Sequence, residues 1–353
     1  MTSRADDTDF RSLIGHTLET FVQGQRAVLA GLGPELDELA DAALAFVGGG
    51  KCLRPMFCQA GWLVAGGDPD EPAIVAAAAA LEWLQASALV HDDLMDGSDT
   101  RRGRPSIHRQ FETLHQDQDR LGDAAGFGRS TAVLLGDLML SWCDELFTNS
   151  VLGSPSLVRH VVAGRHHLDL CKTEVVAGQF LDVVGQTRAS LSVAEAMTVV
   201  RYKSAKYTVE RPLHIGAALA GAGTELMSAL SAVALPLGEA FQLRDDMLGV
   251  FGDPAVTGKP AGDDLREGKR TVLVARASEM TDDKGRAVLA EGLGTPDGVD
   301  AVRRLIEESG ARAAVEADIS RLERQADQAI DEIGSTARAV LGPLALTATR
   351  RNR

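Results

Sequence analysis

Residues 73–96 read AIVAAAAALEWLQASALVHDDLMD, and the order of residue types in this stretch decides the fold. It is rich in Ala and Leu and lacks the strict alternation of a half-buried strand, so it predicts one long, mostly apolar helix. Pro72 stands just before it, where a helix start tolerates a missing N–H. The helix ends in His91-Asp92-Asp93-Leu94-Met95-Asp96. Asp92 and Asp96 share one helical face and lie about 6 Å apart along the axis. Like charges at that spacing destabilise an empty helix, and a helix C-terminus favours cations. A hard cation such as Mg²⁺ relieves both problems. The bland alternative is a solvated acidic helix end, the commoner origin of an isolated DDxxD in an acidic protein.

A near-copy tips that balance. Residues 225–251 predict a second long apolar helix carrying Phe241-Gln242-Leu243-Arg244-Asp245-Asp246-Met247-Leu248-Gly249. Two such carboxylate clusters would hold a diphosphate only through metal bridges, because carboxylate and phosphate repel. The competing reading is a local cap in which Arg244 and Arg266 neutralise the acids. Basic residues keep regular company with the acidic ones. Lys51 and Arg54 are about one turn apart, Arg101, Arg102 and Arg104 follow the first cluster, and Lys203 and Lys206 are three apart. Lys259 and Lys269 follow the second cluster. Arg suits bidentate phosphate contacts and Lys supplies a mobile point charge, although each alone is more often a solvated surface group. Neither Gly48–Lys51 nor Thr257–Pro260 has P-loop spacing.

Outward from these motifs the chain reads as helix. One or two helices are expected over 10–46 with a break near Gly31–Pro34, then 51–64, 129–148, Pro155 to about Val184, and a helix after the capping-box spacing Ser192–Glu195. Pro212 should kink or divide that last helix. Residues 97–108 and 252–270 read as loops, 115–128 as a polar, Gly-containing excursion, and the remainder as shorter, charged surface helices broken near Thr295–Gly298. The expected fold class is all-α, a single domain over 1–353, with the polar residues 1–9 disordered.

Composition limits the functions. A net charge of −14 opposes binding to nucleic acid and to anionic membranes, yet tolerates an anionic substrate where metal and local cations reverse the field. Cys52, Cys58, Cys143 and Cys171 form no CxxC pattern and suit core packing in a reducing cytoplasm. The polar, acidic start is no signal peptide, and the run Ala73–Leu81, ending at Glu82, is too short for a transmembrane segment.

Together these residues resemble the trans-isoprenyl diphosphate synthases, or polyprenyl synthetases, over about 45–275, and among them the short-chain geranylgeranyl diphosphate synthases most. The resemblance rests on motifs in family order: Gly50–Pro55 for GKxxRP, Asp92-Asp93-x-x-Asp96, Arg101 and Arg102, Lys203-Ser204 for Lys-Thr, Asp245-Asp246, and Gly258–Thr271 for GKxxxDxxxGKxT with altered spacing. It implies an isoprenoid synthase fold, with helices around a deep central cavity, and a Mg²⁺-dependent enzyme using three ions with diphosphate bound. Asp92, Asp96 and Asp245 would coordinate Mg²⁺, and Asp93 and Asp246 would ligate it or orient its waters. Arg101, Lys203 with Ser204, and Lys259 would hold the allylic diphosphate, with Lys269 nearby. Lys51, Arg54, Arg102 and Gln85 would hold isopentenyl diphosphate, and Phe241 and Gln242 would line the reacting carbons. A homodimer is implied as well. One departure stands out: Gly249 replaces the third Asp of the second motif, and Asp253, one turn on, is the candidate substitute.

The product expected is geranylgeranyl diphosphate. Leu81, Leu84 and Ala88 share the side of Asp92, and Leu84 lies about 12 Å from it along the helix. Ser87 and Ala88 are too small to stop a chain near the metals, so Leu84 or neighbouring Trp83 would form the floor. The plain alternative for Leu81, Trp83 and Leu84 is ordinary core packing. The remaining alternatives are a farnesyl or longer-chain synthase, a terpene cyclase, and a non-catalytic regulatory subunit, for which Gly249 is the best support.

Overall fold

The structure is a computed structural model and describes residues 4–48, 50–253 and 261–349, with side chains from Asp9 onward. The chain divides into two compact units, Met1–Val161 and Val162–Arg353. Both are helical; the only strands among the described residues are the two-residue pair β1 (Thr100–Arg101) and β2 (Arg104–Pro105).

The first unit contains α1 (Arg4–Ala30), α2 (Leu36–Val47), α3 (Leu53–Val64), α4 (Pro72–Met95), α5 (Ile107–Asp117) and α6 (Ala124–Leu152). Helix α4 begins where the sequence places it. Pro72 occupies the first turn, and the Glu71 carboxylate accepts from the Ala73 N–H at 3.0 Å. Ala77–Leu81 are fully buried, as a helix apolar on every side requires. Helices α1, α3 and α6 pack on it. Trp83 joins Trp142 of α6 and Phe21 of α1 in an aromatic cluster, with ring centroids 5.1 and 6.0 Å away. Both α4 and α10 (Thr224–Phe251) are long and apolar enough to cross a bilayer, but 67% and 50% of their most apolar windows are buried inside the protein.

Three departures have physical reasons. Helix α1 starts at Arg4, within the stretch 1–9 expected to be disordered. The buried face of Phe10, Ile14, Leu18 and Val22 anchors the helix that reaches back into that stretch. Helix α5 occupies part of the expected loop and excursion, burying Ile107, His108, Phe111 and His115 on one narrow face that its polar residues obscure. Helix α6 starts five residues early. A Cβ at Gly128 would lie 2.1 Å from the His108 carbonyl oxygen, so this glycine marks a close helix crossing and not a loop.

The second unit runs α7 (Val161–Gln186), α8 (Val193–Val199), a π-helical segment Val200–Glu210, α9 (Arg211–Leu219), α10, α11 (Asp263–Arg266), α12 (Val272–Met280), α13 (Asp283–Gly292), α14 (Val299–Glu308), α15 (Ala311–Ile333) and α16 (Ser335–Thr349). The capping box forms, with the Ser192 hydroxyl accepting from the Glu195 N–H and Glu195 accepting from the Ser192 N–H at 2.9 Å. The break expected at Pro212 takes the form of a change from π to α geometry at Arg211, with Pro212 in the first α turn. The C-terminal part is more than surface helices. Leu273, Val302, Ile306, Val315 and Ile319 are fully buried in one core with Leu243 and Val250 of α10.

Candidate active site

In the first unit, the end of α4 gathers three carboxylates and one guanidinium. Asp93 is fully buried, and Arg101 on β1 donates to it through Nε at 2.8 Å; an Arg101 Nη lies 3.7 Å from Asp92. Asp96 caps the helix, its N–H donating to the Asp92 carbonyl at 2.8 Å. A buried carboxylate needs a charged or hydrogen-bonding partner, and the tight β1–β2 turn supplies it eight residues on. That turn holds Arg102 at φ 53°, left-handed backbone that a long side chain adopts at a cost.

Arg102 leans the other way, toward Gly50. A Cβ at Gly50 would lie 3.3 Å from Glu82 and 3.5 Å from an Arg102 Nη, so the glycine keeps a gap between α4 and the arginine open. Glu82 was not singled out by sequence, since it reads as the end of an apolar run. Burial pushes its carboxyl upward, and Arg54 and Arg102 oppose that shift. Arg54 and Arg102 therefore form one basic pair beside Glu82 and Gly50, while Lys51 is exposed and Cys52, at φ 48°, turns the chain into α3. Gln85 is half-buried on α4.

The second unit brings together residues that lie far apart in sequence. Asp246 is buried on α10 and accepts from Gln242 Nε2 at 2.7 Å. Its carboxyl is pushed up to about 8, first by burial, then by Asp264, with Asp245 and Asp182 adding to it against the Gln242 hydrogen bond. Lys203 Nζ donates to Asp182 of α7 at 2.6 Å, and Lys269 Nζ lies 3.8 Å from Asp264 and 2.7 Å from Glu267. Two cations predicted from sequence thus sit beside carboxylates with no role assigned from sequence. Lys206 goes elsewhere, to Glu174 at 2.7 Å, which also takes Arg211. Ser204 is half-buried next to Lys203, and Phe241 is buried. Lys259 lies outside the described residues.

The local-cap reading does not hold. Arg244 makes a two-pronged pair with Glu316 at 2.7 and 2.8 Å, and Arg266 pairs with Asp263 at 2.8 Å, so both arginines are engaged away from the motif. The donor set suits Mg²⁺: it is all oxygen, and the neighbouring carboxylates Asp264, Asp245 and Asp182 add to the burial that raises Asp246. Among the described residues, no three His, Cys, Asp or Glu groups are arranged to hold an ion unaided. Mg²⁺ habitually completes its shell with water and substrate phosphate.

The proposed chain-length residues separate. Leu81, Leu84 and Ser87 are buried and Ala88 is half-buried. Trp83 is turned away from Asp92 by about half a helical revolution and packs in the aromatic cluster with Trp142 and Phe21. Two open grooves of about 650 and 730 Å³, lined by residues such as Met197, Glu239, Arg324 and Arg338, contain none of the motif residues.

The polyprenyl synthetase family model matches residues 36–309. The crystal structure of geranylgeranyl pyrophosphate synthase from Corynebacterium glutamicum, complexed with isoprenyl diphosphate and magnesium, is 39% identical with a TM-score of 0.91, covering 97% of this chain and 99% of that one. Geranylfarnesyl diphosphate synthase of Aeropyrum pernix is 33% identical over 281 residues, 78% of this chain and 81% of the relative. The (2E,6E)-farnesyl diphosphate synthase of Mycobacterium bovis is 31% identical over 292 residues, 81% and 74% of the two chains. With both acidic motifs and their basic companions inside the matched span, the chain belongs to the polyprenyl synthetase family, and its all-α architecture is the isoprenoid synthase fold.

Proposed function

We propose that this protein joins an allylic diphosphate to isopentenyl diphosphate and that its main product is geranylgeranyl diphosphate. The coarser statement, a short-chain trans-prenyl diphosphate synthase, follows from family and relatives alike; the relatives named above differ in chain length. The observation that carries the reading is the assembly around Asp246, where Asp182, Asp245 and Asp264 crowd a buried carboxyl while Lys203 and Lys269 pair at its edge. Such a set is costly to keep unless a cation and a polyanion are its ligands.

In this reading Asp92, Asp96 and Asp245 hold Mg²⁺, and Asp93 and Asp246 ligate it or orient its waters. Mg²⁺, when bound, neutralises charge on the departing diphosphate. Arg101, Lys203 and Lys269, with Lys259, grip the allylic diphosphate and stabilise it as the allylic C–O bond breaks. Lys51, Arg54, Arg102 and Gln85 orient isopentenyl diphosphate so that its alkene meets the allylic cation. A proton then passes from the resulting cation to the released diphosphate, and a new double bond forms. Phe241 and the apolar face of α4 keep water from the cation.

The two units act as one domain in this reading, supported by a family match that spans residues of both. A cytoplasmic homodimer is part of the proposal. Exposed Val133 and Leu134 on α6, and exposed Val162, Val176 and Phe180 on α7, are apolar surface suited to a second copy.

The direct test offers dimethylallyl, geranyl and farnesyl diphosphates separately with isopentenyl diphosphate and Mg²⁺. Geranylgeranyl diphosphate from all three is expected; no condensation with any of them removes the assignment. Chain length is tested through Ala88, half-buried on the Asp92 side of α4. Ala88→Phe should shorten the main product by at least one five-carbon unit. An unchanged product distribution would mean that this face of α4 does not line the chain.

A further inference from the structure

The second acidic motif has Gly249 where a third aspartate is expected, and the structure shows what fills the space. A Cβ built on Gly249 would lie 1.9 Å from an Asp264 carboxylate oxygen and 2.7 Å from its carbon. Asp264 therefore stands within the volume that a side chain at 249 would claim. Position 249 is one turn beyond Asp245 on α10 and on the same face. A carboxylate there and the Asp264 carboxylate address the same side of the helix.

The backbone is built to bring Asp264 to this point. The Gly262 N–H donates to the Gly249 carbonyl at 3.0 Å, and Gly262, at φ 81°, turns the chain into α11. Asp264 is the second residue of α11. Lys269 returns to it twice, through its N–H to the Asp264 carbonyl at 2.9 Å and through Nζ at 3.8 Å from Oδ1. The neighbouring Asp263 instead pairs with Arg266, and Asp253, the substitute that the sequence suggested, is exposed.

We infer that Asp264 supplies, from α11, the third carboxylate of the second acidic motif, and that Gly249 is the vacancy that admits it. The inference rests on the reading of Asp245 as a Mg²⁺ ligand. Asp264 acts as a positioning residue: it holds the waters or the Lys269 ammonium around the metal-bound diphosphate and does not touch the reacting carbons. A chain with this arrangement needs no aspartate at 249 to be an active synthase.

The test measures Mg²⁺ binding by calorimetry in the presence of inorganic diphosphate, with steady-state turnover recorded alongside. Asp264→Asn, which keeps shape and removes charge, should weaken Mg²⁺ binding by about tenfold or more. Gly249→Asp alone should also weaken it, because two carboxylates then compete for one space. Gly249→Asp combined with Asp264→Gly moves the carboxylate back onto α10 and should recover most of the loss. Asp263→Asn should bind as the unaltered protein does. Wild-type Mg²⁺ binding in Asp264→Asn, while Asp245→Asn loses it, overturns the role of Asp264 and leaves the metal site standing. Wild-type binding in both overturns the metal reading itself.

Discussion

Asp92→Ala will lose prenyl transfer by a hundredfold or more at saturating Mg²⁺ and will keep its thermal stability. The two halves of this result come from one arrangement. Asp92 sits in the last turn of α4 beside buried Asp93 and the Asp96 cap, so three like charges collect at the end of a helix that prefers cations. Arg101 offsets part of this charge, at 2.8 Å from Asp93 and 3.7 Å from Asp92. Removing Asp92 leaves the Asp93–Arg101 pair intact and relieves repulsion, so the folded state loses little. A residue whose removal spares the fold and stops the chemistry is there for a ligand. Asp92→Asn should behave similarly, since it keeps the shape and removes the charge. Turnover and a thermal melt on the same sample decide the matter. Activity within a few-fold of the unaltered protein would remove Asp92 from the metal site, and a large drop in melting temperature would make it a structural carboxylate.

The legible part of this molecule is what depends on neighbours in sequence. The apolar run 73–90 and its acidic end are a local pattern, so α4 and the first motif can be read directly. The same holds for Asp245-Asp246 at the end of α10 and for the Ser192–Glu195 capping box. Asp182 could not be read in this way, and Asp264 lies inside the Gly258–Thr271 loop without a role of its own in the sequence. Each is one of 50 acidic residues in the chain, and what sets them apart is that α7 and α11 deliver them to the second motif. Glu82 is hidden in the sequence because a single acid in an apolar run reads as a boundary, whereas the structure buries it beside Arg54 and Arg102. Trp83 is ambiguous in the sequence, because core and tunnel wall share a composition; the structure adds its packing against Phe21 and Trp142. Glycine gave the most ambiguous signal. Gly128 read as loop and proved to be a helix crossing, while Gly249 read as a missing ligand and proved to be the space that the Asp264 carboxylate occupies.

Glycine also carries the second large effect, at the π-helical segment that holds Lys203. Widened helical turns need support from both sides, and here the supports are two glycines. A Cβ at Gly178 of α7 would lie 2.4 Å from the Lys203 backbone nitrogen, and one at Gly238 of α10 would lie 2.6 Å from the Ala205 Cα. Both neighbours are backbone and have no rotamer to change. Gly178→Ala and Gly238→Ala should each destabilise the protein by about 1–3 kcal/mol, read as a lower denaturant midpoint at unchanged slope. Because helix propensity favours Ala over Gly by about 1 kcal/mol, the observed loss is what remains after that gain. Gly15→Ala and Gly24→Ala, on exposed turns of α1 with nothing within 4 Å, should show the gain alone. Gly178→Ala should also disturb the site. Pushing the Lys203 backbone away from α7 lengthens the 2.6 Å ion pair with Asp182, so the KM for the allylic diphosphate should rise more than that for isopentenyl diphosphate. Equal stability in all four variants would mean that the π segment yields to its neighbours, and Lys203 would then owe its position to something other than this clamp.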